Sequence, residues 1–159
     1  MLKVRIIAVG KPGRLLAAAI AEYEQRAQRY WNLDVAEVKE ERARKGIADT
    51  AIRDAEAERI LQRIPDDFDV IALTRVGDAW PSTRLSEYLL DLGVRGTAGA
   101  AFIIGGAIGL GETVLQRANR QLQLSSFTLP HELARLVLAE QLYRGGTIAR
   151  REPYHKGVE

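Results

Sequence analysis

The sequence predicts an α/β fold, a mostly parallel sheet with helices on both faces. Two observations carry this. Short, almost continuously apolar runs at residues 4–9, 68–74 and 99–104 alternate with longer stretches of helical periodicity. Strands without a polar alternate are those buried on both faces of a parallel sheet. In addition, no internal repeat and no low-complexity linker interrupts the 159 residues, so one domain over 1–159 is expected.

Residues 4–9 form the first strand, and Lys11-Pro12-Gly13 turns the chain after Gly10. The alanine-rich stretch from 15 to 30 places Leu16, Ile20, Tyr23 and Ala27 on one stripe and predicts a helix. Residues 33–38 alternate loosely, as a strand does. The mixed charge run 39–45 predicts an exposed loop. Asp49 is placed to cap a second helix reaching Ile64, where Pro65-Asp66-Asp67 stops it. A core strand at 68–74 and a loop at 76–81 follow. Ser82 or Thr83 then caps a helix over Leu85, Tyr88, Leu89 and Leu92, closed by Gly93. Residues 99–104 are a buried strand, 112–120 a short helix and 122–125 a short last strand. Thr128 caps the final helix, with Pro130 in its first turn, and Gly145-Gly146 leaves a short, mobile tail.

The totals exclude several chemistries. With 47% hydrophobic and 28% charged residues the chain has the composition of a soluble globular protein. The lack of cysteine removes disulfides and thiolate zinc sites. Two histidines, His131 and His155, make a multi-histidine metal centre unexpected, so no metal is anticipated. No apolar run reaches membrane-spanning length, and Met1-Leu2-Lys3-Val4-Arg5 lacks a signal-peptide core. A cytoplasmic protein without a membrane partner is the expectation. The net charge of +2 and pI near 9.0 lean weakly toward an anionic partner. Arg144, Arg150, Arg151 and Lys156 face only Glu152 and Glu159 near the C-terminus, either a solvated tail or a basic edge for phosphates.

Four segments carry candidate chemistry. Gly105-Gly106-Ala107-Ile108-Gly109-Leu110-Gly111 follows a buried strand, where ligands of open α/β sheets sit. The glycines permit either a plain structural turn or close approach to a ligand. Their spacing is not that of a dinucleotide fingerprint, and no P-loop lysine follows. In Leu124-Ser125-Ser126-Phe127-Thr128-Leu129, hydroxyls between apolar residues serve either as helix caps or, with the backbone, as polar groups in an apolar-walled pocket. The final helix is apolar nearly all round, which predicts burial in a subunit interface and hence a homodimer. His131 and Arg135 lie one turn apart, as do Glu140 and Arg144. The latter two either pair or leave a free guanidinium at the helix end. Tyr154-His155-Lys156 is either a solvated tail or a group that stacks on a base and meets phosphate.

In combination and order, Ile104-Gly105-Gly106, Leu124-Ser125 with Thr128-Leu129-Pro130-His131, Arg135, Glu140-Gln141-Leu142-Tyr143-Arg144 and Pro153-Tyr154-His155-Lys156 resemble the ribosomal RNA large subunit methyltransferase H family of the SPOUT class. The resemblance spans the whole length. It implies methylation of N3 of a pseudouridine in helix 69 of 23S rRNA on the ribosome, S-adenosylmethionine as cofactor, an obligate homodimer and a C-terminal trefoil knot. The knot runs against the general avoidance of threading. It also implies that Leu73, Gly105, Gly106, Leu124, Ser125, Ser126, Phe127, Thr128 and Leu129 bind cofactor. Arg144 and His155 are then catalytic, and Tyr154, Lys156 and Arg135 bind substrate. Thr74 and Ile108 stand where the family commonly has acidic residues, and Gly157-Val158-Glu159 extends past its usual end. A tRNA-directed SPOUT enzyme and a non-enzymatic ribosome-associated protein are the alternatives; the first shares the cofactor site, and the second has no need of the two pocket loops.

Overall fold

The computed structural model describes residues 1–156, the side chain of His155 excepted. The elements are β1 (Lys3–Val9), α1 (Ala17–Ala27), β2 (Asn32–Val38), α2 (Asp49–Leu61), β3 (Phe68–Ala79), α3 (Ser82–Val94), β4 (Gly99–Ile104), α4 (Glu112–Arg117), β5 (Arg120–Gln123) and α5 (His131–Ala149), then a 3-10 turn at Pro153–His155. The strands form one sheet in the order β2-β1-β4-β3-β5, every neighbouring pair parallel. The α/β expectation therefore holds.

Alternation along the buried strands builds two cores. Val4, Ile6, Ala8, Ala100, Phe102 and Ile104 face α1, α3 and α5, meeting Ala27, Leu85, Leu89, Leu92, Leu138 and Leu142. Ile7, Val9, Ala101 and Ile103 face the opposite way, against Ala57 and Ile60 of α2 and Val114 of α4. Period-two side-chain direction makes both faces apolar only when helices cover both.

Several boundaries differ from the sequence expectation, each for a local reason. The strand at 68–74 continues to Ala79, because after an irregularity between Leu73 and Asp78 the chain returns to β5, pairing Asp78 with Leu122 and Ala79 with Gln123. β5 itself begins at Arg120, inside the stretch expected to be helical. Helices α2, α3 and α5 have no side-chain cap; Ala48, Pro81 and Pro130 occupy the N-cap positions. Asp49, Ser82 and His131 are instead the first helical residues, and Thr128 lies outside α5. The glycine that closes α3 is Gly96 rather than Gly93. Gly96 has φ +72°, and the Thr97 and Gly96 N–H groups donate to the Leu92 and Gly93 carbonyls at 3.0 and 3.2 Å, a Schellman ending.

The largest difference is in α5, which runs through Gly145-Gly146 to Ala149. Glycine here serves packing: a Cβ on Gly146 would overlap the Tyr30 ring, which lies directly on the helix. The Trp31 indole donates to the Leu142 carbonyl at 2.8 Å, and the Ser86 hydroxyl to the Gly145 carbonyl at 2.8 Å. Gly146→Ala will destabilise the protein by about 2 kcal/mol in urea unfolding, because the clash outweighs the gain in helix propensity of about 1 kcal/mol. A more stable variant would refute this packing account.

The tail folds back on α1 and α5. The Tyr30 hydroxyl donates to Glu152, Arg150 lies over the Tyr30 ring at 4.7 Å, and Tyr154 stacks on Tyr143 at 4.5 Å between centroids. The described part of the tail is thus packed rather than free. Gly157-Val158-Glu159 lies outside the described residues.

Candidate active site

A cavity of about 500 Å³ opens at the irregularity within β3 and beyond the carboxyl ends of β4 and β5, beside the start of α5, where open parallel sheets place ligands. Its lining brings together Leu73, Gly105, Gly106, Leu124, Ser125, Phe127, Thr128 and Leu129. Ser126, grouped with them in the sequence, is not part of the lining. Thr74, Ile104, Leu110, Gln121, His131 and Ala134 also face the cavity; of these Gln121 and Ala134 belong to none of the motifs that the sequence marks.

Both loops owe their shape to local bonds. The Gly109 N–H donates to the Gly106 carbonyl at 3.1 Å, with Gly109 at φ +83°. From behind, the Arg53 guanidinium reaches the Ile108 carbonyl at 3.4 Å. Beyond β5, the Ser125 hydroxyl accepts the Phe127 N–H at 2.9 Å, so this serine shapes its own loop instead of capping α5. The Thr74 hydroxyl donates to the Gln121 side chain at 3.0 Å across the cavity floor.

Glu56 of α2 sits behind the glycine loop and is only 3% exposed. Its Oε2 accepts the Glu41 N–H at 3.0 Å. Its Oε1 is buried with no donor in reach among the described residues. Burial, with smaller contributions from Glu40 and Glu41, holds its carboxyl above the usual carboxylate range, against the Glu41 N–H and Arg59, which favour the charged form. Nothing in the spacing of the sequence singled it out.

Arg144 lies within α5, not at its end. Its Nε and Nη2 donate to Glu140 Oε1 at 3.0 and 2.6 Å, and the Tyr154 hydroxyl reaches the same oxygen at 3.1 Å. The guanidinium lies 5.0 Å from the centre of the Tyr154 ring. It is therefore paired, not free. Burial and Glu140 push the Tyr154 hydroxyl up to about 12. Lys156 is exposed, and the side chain of His155 lies outside the described atoms.

Arg135 departs from the expected substrate contact. Its side chain is 8% exposed. It donates from Nε and Nη2 to Glu24 at 2.9 and 3.1 Å, and from Nη1 to Glu37 at 2.6 Å. All three nitrogens donate to carboxylates, so the residue ties α5 to α1 and β2.

Arg144 is 13 residues beyond His131 on one helix, about 20 Å at 1.5 Å per residue. Within one chain the cavity and the arginine–tyrosine cluster thus stand well apart along α5. Among the described residues no group of three or more acidic or histidine side chains is arranged to hold a metal. No helix among them is long and apolar enough to cross a membrane.

The fold agrees with the comparisons. The family model described as Predicted SPOUT methyltransferase matches residues 2–155. A structure described as a methyltransferase from Bordetella pertussis superposes with a TM-score of 0.54 at 14% identity, covering 91% of this chain and 95% of that one. A methylase family protein from Neisseria gonorrhoeae gives 0.53 at 16%, covering 90% and 82%. At such identities the likeness is one of fold. The chain is a SPOUT methyltransferase. It is 49% identical over 156 residues to the ribosomal RNA large subunit methyltransferase H of Gemmatimonas aurantiaca, spanning 98% of this chain and all of the relative. To its counterpart from Bacillus pumilus it is 42% identical over 159 residues, with the same coverage. It belongs to the ribosomal RNA large subunit methyltransferase H family.

Proposed function

We propose that this enzyme uses S-adenosylmethionine to methylate N3 of a pseudouridine in helix 69 of 23S rRNA, acting on assembled ribosomes in the cytoplasm as a homodimer of single-domain chains with a C-terminal trefoil knot. The observation that carries the reading is full-length similarity to ribosomal RNA methyltransferases joined to a cavity walled by the glycine loop and the 124–129 loop. The cavity fits the cofactor. Gly105 and Gly106 leave backbone open to a ligand, the walls are mainly apolar with a few polar groups, and the volume lies within the range of small-molecule sites, roughly 300–1,000 Å³.

When bound, S-adenosylmethionine supplies a methyl group on a sulfonium, ready for in-line transfer without a metal. The chain does the rest. Leu73, Gly105, Gly106 and the 124–129 loop hold and orient the cofactor, since alignment supplies much of such a rate. The N3 of the ring must lose its proton to become nucleophilic, and the charge spreads to the flanking carbonyl oxygens. Arg144 stabilises that anion, and His155 takes the proton. Tyr154 stacks on the substrate side, and Lys156 meets phosphate.

The dimer completes the site. Leu133, Leu136 and Val137 of α5 are half-buried and join neither core cluster, and Phe127 at the cavity mouth is 80% exposed. A second copy on this face brings its Arg144 and tail to the first copy's cavity, closing the 20 Å gap within each chain.

Radiolabelled S-adenosylmethionine is to be offered to intact ribosomes, separated subunits, naked 23S rRNA and tRNA from cells lacking the activity. Label on intact ribosomes at N3 of the helix 69 pseudouridine is expected. Label on tRNA alone would replace the substrate.

A further inference from the structure

The cofactor proposed for this cavity carries a positive charge at the sulfonium, yet among the described residues the cavity wall contains no carboxylate. Its charged or ionisable lining residues are Arg75 and His131. Thr74 and Ile108, both in the lining, are neutral. A carboxyl does lie behind the wall, that of Glu56. A Cβ built on Gly106 would lie 3.1 Å from Glu56 Oε1, 3.3 Å from its Oε2 and 3.2 Å from Val9 Cγ1. Only the glycine backbone separates this carboxyl from the cavity.

We infer that Glu56 is the counter-charge for the cofactor, acting through the thickness of Gly106 to favour the sulfonium donor over its neutral thioether product. The inference rests on the S-adenosylmethionine reading. It accounts for an otherwise costly arrangement: a carboxyl oxygen buried without a donor destabilises the fold and calls for a reason. A cation on the far side of Gly106 relieves that cost in a region of low dielectric, where charge interactions are strong. Other charges facing the carboxyl do not fill this role. Arg59 is engaged by Glu41, Arg53 is directed to the Ile108 carbonyl, and Glu40 and Glu41 add negative charge. A side chain at 106 would crowd the carboxyl and Val9 at 3.1–3.3 Å, which glycine avoids. The preference it creates is useful to the reaction. The product lacks the sulfonium charge, so the same carboxyl that draws the donor in holds the spent cofactor less.

The test is calorimetric binding of S-adenosylmethionine and S-adenosylhomocysteine to the wild type, Glu56→Gln and Glu56→Asp. Gln keeps the shape and can still accept the Glu41 N–H, but carries no charge. Expected is a loss of about tenfold in S-adenosylmethionine affinity in Glu56→Gln with S-adenosylhomocysteine affinity unchanged. Glu56→Asp, which keeps the charge, retains the wild-type preference for the donor. Equal weakening of both ligands in Glu56→Gln would overturn the assignment in favour of loop support alone, as would no change in either. Wild type that binds neither ligand would instead overturn the cofactor reading itself.

Discussion

Arg144→Ala will lower kcat on ribosomes by about two to three orders of magnitude, the loss typical of removing one preorganised donor from a developing anion. Affinity for S-adenosylmethionine will be unchanged, because within a chain the Arg144 cluster lies well apart from the cavity along α5. Equal losses in both quantities would sink the assignment. Arg144→Lys will recover only part of the rate: a single ammonium cannot reproduce the two bonds from Nε and Nη2 to Glu140 that fix the guanidinium plane. Arg144→Ala also tests the dimer. A chain with Gly105→Val keeps its tail but distorts its cavity, since a Cβ at 105 already approaches Leu110 and Gly109 at 3.0 and 3.1 Å. Each variant alone is inactive. In a co-expressed mixture half of the dimers are mixed, and each holds one site with an intact cavity from one chain and an intact tail from the other. Recovery of about a quarter of wild-type sites follows from two-fold symmetry. No recovery would mean that each chain completes its own site.

The parts of this molecule that were legible in the sequence are those fixed by local pattern. Val4, Ile6 and Ala8 against Ile7 and Val9 declare a strand covered on both faces, and the run of glycines after Ile104 marks the loop that became a cavity wall. What local pattern could not supply depends on contacts far apart in the chain. Gly146 looks like a helix stop until Tyr30 is placed upon it. Arg144 looks free at a helix end until α5 is seen to continue. Glu56 looks like one more charged residue of an amphipathic helix until β1, the glycine loop and Glu41 close around it. Arg135 was read as a substrate contact from its motif. Its partners, Glu24 and Glu37, are 111 and 98 residues away, and no spacing rule connects them.

Arg135→Ala will lower stability by about 3 kcal/mol, because it leaves two carboxylates without their cation in a largely dry site. The side chains of Glu24 and Glu37 are 13% and 30% exposed, so Glu24 bears most of the penalty and Glu37 recovers part of its hydration. For a chain of 159 residues this corresponds to a fall in Tm of about 10 °C. Removing all three charges together, as Arg135→Met with Glu24→Gln and Glu37→Gln, will restore most of the loss, since the cost lies in the stranded charges more than in the missing bonds. The two outcomes separate the structural role from the substrate role. If Arg135 only ties α5 to α1 and β2, the folded fraction of Arg135→Ala, assayed well below its Tm, keeps the wild-type KM for ribosomes. A raised KM with unchanged Tm would return Arg135 to the RNA-binding surface. His131 lies one turn before Arg135 and faces the cavity, so the same anchor sets where the first turn of α5 meets the cavity. A loosened anchor will therefore show first as weaker cofactor binding near the lowered Tm, before any change in the chemical step.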